Sequence, residues 1–445
     1  MPFNDCLTNI RKFIRSPQQN DKEGIFKITV VAFEDRCNTN CGKVLVDLLK
    51  QSNLFTVQFF DEMFPKGFLN LQGRNFFDFI DCGTRILSSS KSDILIWGYE
   101  ENGKIRLNFQ VANQYIIPNA LSFSLLDSLY VPLNYFTEYE KFSESLLLLI
   151  YGIVIAAIIP STDAQIKNQP HLLKEIISLL SSDVSRKDIS REFMPYIMNM
   201  LAKIYLNSVK GNLTPDNIEI ISSLFENALK NKEYMRLPIY YGCIYNNLGQ
   251  LYEAALTDNT ENNYDYLKKA ISNYTTAQKY LNRSYPYDYG LISYHLAVLY
   301  FEFWKYTNDL QALRDSVAQL REAEKVYTWA QFPQSWCHIQ GLLGYYLTSL
   351  GTNTISREIM QLAIISYKNQ QKVFEQYTHP LEWAKVQEDI GNIYYLLGKQ
   401  DEDENLMLEA RNYYLSALDI YDELKDKDAA AKTHNLLKRI GNYID

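Results

Sequence analysis

Leu248-Gly249-Gln-Leu-Tyr252, Leu296-Ala297-Val-Leu-Tyr300, Leu343-Gly344-Tyr-Tyr-Leu347 and Ile390-Gly391-Asn-Ile-Tyr394 recur at spacings of 48, 47 and 47 residues. A second series follows each of them: Ala270/Tyr274/Ala277, Ser316/Leu320/Ala323, Ala363/Tyr367/Gln370 and Ala410/Tyr414/Ala417, at spacings of 46, 47 and 47. One step back from Leu248 lies Leu201-Ala202-Lys-Ile-Tyr205. One step forward from Ile390 lies Leu437, inside a last helical stretch, 429–440, with no partner after it. Two series sharing one period define a repeat of about five units. Small residues let the two helices of a hairpin approach, and large ones three positions on fill the gap to the next hairpin. Each hairpin alone leaves an apolar side uncovered, so the units stack into a solenoid, and a final helix carrying Lys432, His434, Lys438 and Arg439 serves as its polar cap.

Leu-Gly-x-x-Tyr followed by Ala-x-x-x-Tyr-x-x-Ala resembles the tetratricopeptide repeat, over residues 195–445. The period is longer than the 34 residues of that motif. The polar stretches Thr257–Asn263, Thr352–Arg357 and Lys399–Asn405 read as lengthened loops that absorb part of the difference. Pro380-Leu-Glu-Trp-Ala384 ahead of Ile390 resembles a long-period bacterial variant.

The other half has a different rhythm. Phe26–Phe33 reads as a buried strand, 41–51 as a helix, 55–60 as a strand, 76–87 as a helix and 93–99 as a third strand. Glu101-Asn102-Gly103 is a turn with Gly where a positive φ is needed, and 104–111 alternates with period two, which makes a hairpin. The expected fold is a small mixed α/β sheet with a hairpin followed by an all-α superhelical solenoid. The change of period sets the expected domains at 1–160, closed by an apolar helix 142–159, and 161–445. Val30-Val-Ala-Phe33-Glu34-Asp35, the helix at 41–51 and Ser92–Gly98 resemble the TolB-like domain of some bacterial repeat proteins.

The 445 residues carry 44 Lys and Arg against 52 Asp and Glu, a net charge of −8, which provides no basic face for nucleic acid. Leu146–Ile159 is an uncharged run of 14 residues, the length of a buried core helix and short of the roughly 20 that a membrane span needs. Met1–Pro17 bears Asp5, Arg11, Lys12 and Arg15 without an apolar core, so no secretory signal is expected. The cysteines at 6, 37, 41, 82, 243 and 337 are scattered without a Cys-x-x-Cys pair, which fits reduced thiols in a cytoplasmic, bacterial setting.

Reactive constellations are sparse. Cys37-Asn-Thr-Asn-Cys41-Gly42-Lys43-Val44 follows a strand and opens a helix, as a phosphate loop does, but Cys37 replaces the first glycine and Val44 the hydroxyl. Cys37 and Cys41 lack a second ligand pair for tetrahedral zinc. Cys337 and His338 are adjacent and would face different sides of a helix. Asp401-Glu-Asp-Glu404 lacks the alternating ligands and glycine of a calcium loop and reads as a solvated inter-helix loop. Glu34 and Asp35 at the first strand end would be the pocket carboxylates of an alternative, a nucleotide-binding or nucleotide-cleaving domain similar to TIR domains, regulated by sensor repeats. The 93–111 hairpin argues against that fold. No enzyme, cofactor or metal is expected.

The tetratricopeptide resemblance places the ligand groove on the first helix of each pair, two residues before and after the signature Leu. Those positions are Asn199 and Lys203, Asn246 and Gln250, Tyr294 and Val298, Gly341 and Tyr345, Glu388 and Asn392. Phe301 joins them as a further ring. Amides beside tyrosines suit an extended peptide, because amides satisfy backbone groups while rings supply contact area. The expected role is a non-enzymatic scaffold holding a protein or peptide partner in the groove.

Overall fold

The computed structural model describes residues 26–33, 40–51, 55–63, 74–101, 103–111, 117, 127–137, 139–158, 194–209, 212–230, 238–257 and 263–444. The chain forms two compact units. One comprises Met1–Tyr115 with Ala120–Ile292, the other Ile116–Asn119 with Ser293–Asp445.

The first unit begins with β1 (Phe26–Ala32), α1 (Cys41–Leu49), β2 (Phe55–Met63), α2 (Arg74–Ser90), β3 (Ile94–Glu101), β4 (Lys104–Val111) and β5 (Leu129–Pro132). The strands form a five-stranded sheet in the order β2-β1-β3-β4-β5. β1 pairs in parallel with both β2 and β3, while β4 runs antiparallel to β3 and β5. Interior β1 buries Phe26, Ile28, Thr29, Val30 and Val31, the pattern of a parallel strand covered on both faces. The β3–β4 turn holds Gly103 at φ 73, where no side chain is strained by the left-handed region. β4 departs from a one-faced strand. Its polar alternates Arg106, Asn108 and Gln110 are buried as well, because each finds hydrogen-bond partners under covering elements.

After α3 (Asn134–Thr137), α4 (Tyr139–Ile158) carries the apolar run. Tyr151 packs edge-on against Phe55 of β2 at 4.8 Å, so α4 lies on the sheet. Among the described residues no helix is long and apolar enough to cross a membrane.

The helix pairs follow: α5 (Met194–Val209) with α6 (Pro215–Leu229), α7 (Pro238–Ala254) with α8 (Asn263–Tyr280), α9 (Pro286–Thr307) with α10 (Leu310–Val326), α11 (Pro333–Thr354) with α12 (Arg357–Gln370), α13 (Pro380–Asp401) with α14 (Glu404–Leu424), and a last helix, α15 (Lys427–Ile444). The two compact units part inside α9, not at 160/161 where the period changes. The reason is that α4, α5 and α7 bury their faces with the sheet, as the polar contacts described below show.

Within pairs the signature residues meet. A Cβ at Gly249 would lie 2.8 Å from Tyr274, at Gly344 2.7 Å from Tyr367, and at Gly391 2.8 Å from Tyr414. Where the first helix carries Ala297 instead, the second carries Leu320 rather than a ring.

In the last three pairs the long period comes from helix length rather than loop length, whereas Thr257–Asn263 joins α7 to α8, with 258–262 outside the described residues. α9, α11 and α13 each run 22 residues, and Thr352–Thr354 and Lys399–Asp401 are their last helical residues. Thr352, Asn353 and Thr354 return their polar groups to carbonyls four residues back, so a polar stretch is compatible with helix here. Asn308, Ile355 and Glu402, 47 residues apart, take left-handed backbone at φ 55, 52 and 52. The next residue in each case, Asp309, Ser356 or Asp403, caps the following helix. Pro238, Pro286, Pro333 and Pro380 open the first helix of four pairs, the position where a missing amide hydrogen costs nothing.

Candidate functional site

In the first unit the groove positions of the first repeats point into packed interior. Arg106 of β4 donates from Nε to Ser128 Oγ (2.8 Å) and from Nη1 to the Tyr99 hydroxyl (2.8 Å), and Ser128 donates to Asn108 Oδ1 (2.9 Å). Beside Ser128, Asp127 forms an ion pair with Lys203 of α5, both wholly buried. Asn247 of α7 donates to Asp127 Oδ1 (3.2 Å) and to Asn199 Oδ1 (3.0 Å). Tyr130 of β5 packs with Tyr196 and Tyr240 at 4.8 and 5.6 Å, and its hydroxyl bonds that of Tyr240. Lys203 is therefore a buried partner of a carboxylate and not an open groove cation. Asn246 is buried and Gln250 half-buried, and Asn246 Oδ1 and Gln250 Oε1 have no hydrogen-bond partner among the described residues. Cys243, buried beside this network, has its thiol held well above the ordinary range, mainly by burial.

In the second unit the rings among the remaining positions cluster, with Tyr294 and Phe301 buried and Tyr345 exposed. Tyr294 of α9 places its hydroxyl 3.2 Å from His338 Nε2 of α11. Burial lowers the His338 pKa from the ordinary imidazole value, because the charged form is disfavoured away from water. Phe301 stacks on Tyr346 at 4.0 Å and lies 5.2 Å from Tyr345, which is 52% exposed. Val298 is half-buried on the same helix, and Gly341 is half-buried on α11. Glu388 of α13 is buried, paired with Lys432 of α15 (2.6 Å) and accepting from the Tyr421 hydroxyl (3.3 Å). Its neighbour Asp389 is pushed up to about 6, first by burial and then by the Glu388 charge. Asn392 Oδ1 accepts from the Tyr414 hydroxyl (2.8 Å). Tyr294, Phe301 and Tyr345 thus sit along one pair of neighbouring helices, while Glu388 and Asn392 are engaged inside the last pair and cap.

His338 and Tyr346 were not among the residues expected from spacing. Their signal was present: Tyr346 adjoins Tyr345, and His338 lies five residues before the signature Leu343. Cys337 points away from His338 and toward the Gln370 carbonyl (3.9 Å), and burial pushes its thiol up to about 12. No thiolate–imidazole couple exists there.

No family model matches the chain, and no curated protein matches it. Among solved structures, BtubC (BKLC) from P. vanneervenii is similar at 15% identity and a TM-score of 0.36, over 57% of this chain and 92% of that one, a likeness too distant to bear on fold or activity.

The other chemical readings find their places as follows. Glu34, Asp35 and Cys37 lie outside the described residues. Asn40 caps α1 with its own side chain, accepting from the Lys43 amide. The 401–404 acidic run ends α13 and starts α14. Asp401 pairs with Arg357 (2.8 Å), and Asp403 accepts from the Asn405 and Leu406 amides. Among the described residues no three His, Cys, Asp or Glu side chains converge as a metal site.

Proposed function

We propose that this protein is a non-enzymatic interaction scaffold that holds a protein or peptide segment against the exposed Tyr345 ring of its second unit. The observation that carries this is Tyr345, half in solvent on α11 and backed by the buried rings Phe301 and Tyr294 of α9, the latter braced by His338. Rigid rings on a stacked-helix frame supply contact area at low entropic cost. The reading includes a tetratricopeptide-like array behind a TolB-like sheet domain, in a cytoplasmic bacterial protein. The test is affinity capture with the full chain beside Tyr294→Ala/Tyr345→Ala. The full chain is required because a cut at 160/161 would strip Lys203 and Tyr240 of Asp127 and Tyr130. A partner recovered by the wild type and lost by the double variant supports the scaffold. Identical recoveries, or none from either, refute it.

A further inference from the structure

The second compact unit contains one short piece of chain from far upstream, Ile116–Asn119. Within it, Ile117 is 1% exposed. Its amide donates to Ser335 Oγ at 3.0 Å, and its carbonyl accepts from the same hydroxyl at 3.3 Å. Ser335 is itself buried, the third residue of α11. One hydroxyl can do both because it is a donor and an acceptor at once. Satisfying a residue's two backbone groups while burying its side chain is how extended peptides are recognised: main-chain bonds give affinity and the side-chain pocket gives specificity. Residue 118 is Pro, which disfavours helical backbone at Ile117 and prepares the extended form. The corresponding positions of the three other pairs that open on proline are Tyr240, Asp288 and Glu382, none with a short hydroxyl.

We propose that Ile117 is a built-in ligand of the second unit: it occupies a peptide seat at Ser335 and keeps it closed until a partner segment of like chemistry, an extended stretch with a branched apolar residue before proline, displaces it. This deepens the scaffold reading and rests on it for the partner. The probe is a fluorescein-labelled peptide of residues 112–122, Ala-Asn-Gln-Tyr-Ile-Ile-Pro-Asn-Ala-Leu-Ser, titrated by anisotropy into the full chain. Ile117→Asp, which empties the seat, should bind it at least tenfold more tightly than wild type, and adding Ser335→Ala should remove the gain. Equal affinity for wild type and Ile117→Asp, or no binding to either, overturns the proposal. A second readout needs no vacated seat. By hydrogen exchange the Ile117 amide should be protected in the wild type and exchange at least tenfold faster in Ser335→Ala, and an unprotected amide in the wild type overturns the proposal even if Ile117→Asp fails to fold. Peptide binding without any partner lost by the Tyr294/Tyr345 variant would sink the scaffold reading while leaving the seat intact.

Discussion

At Gly344 the space for a methyl group is already taken by the Tyr367 ring, and the same holds at Gly249 and Gly391 with Tyr274 and Tyr414. The glycines are there for approach, since none of the three has a positive φ. Gly344→Ala is expected to cost about 1–3 kcal/mol through overpacking. Adding Tyr367→Leu copies the Ala297 and Leu320 combination found one period earlier, and should recover most of that loss. Urea denaturation of the four chains of this cycle measures the coupling. Simple additivity of the two losses would show that ring and glycine do not share the space. This pairing was legible in the sequence, because both partners sit in fixed registers of short-range repeats. The fate of Lys203 was not. Nothing in its spacing reports that Asp127, far away in the chain, supplies its counter-charge.

At the scale of elements, the inter-helix turns carry the repeat as faithfully as the packing does. A left-handed residue followed by a capping Asp or Ser recurs at 308–309, 355–356 and 402–403. Ile355 is the anomaly, a β-branched residue at φ 52 that is 71% exposed and so contributes little packing there. Ile355→Asn, which suits left-handed backbone, should stabilise the chain by about 0.5–1 kcal/mol. A thermal melt that shifts downward, or not at all, would refute the strain. The sequence concealed the turns after α11 and α13 because the last turn of each of these helices is as polar as a loop. Thr352, Asn353 and Thr354 read as loop by composition and are helix by hydrogen bonding.

At the scale of the whole molecule, the sheet and the first repeats belong to one compact unit. The buried pair Lys203–Asp127, with Asn247 and Asn199 around it, is the polar centre of that unit. Lys203→Met would leave Asp127 buried without its counter-charge, at a cost of about 3–5 kcal/mol. Lys203→Met/Asp127→Leu should return most of it, since Asn247 keeps its bond to Asn199. Calorimetry of wild type, single and double variants checks this. Equal destabilisation by single and double variants would show that the pair, and not the orphaned charge, provides the stability.

The sequence by itself determined the repeat, its period, about five helix pairs and a last helix, and the mixed sheet with its hairpin. All of these follow from local patterns: small residues opposite rings, period-two alternation, a glycine at a turn. Only the tertiary structure decided which polar residues are solvated. Asn199 and Lys203 were drawn into the interior, Tyr345 was left half in water, and Ile117 was placed on Ser335. Spacing gives the side of a helix on which a residue lies. Whether that side is covered depends on partners distant in the chain, and a buried charge or amide is stable only where such a partner meets it.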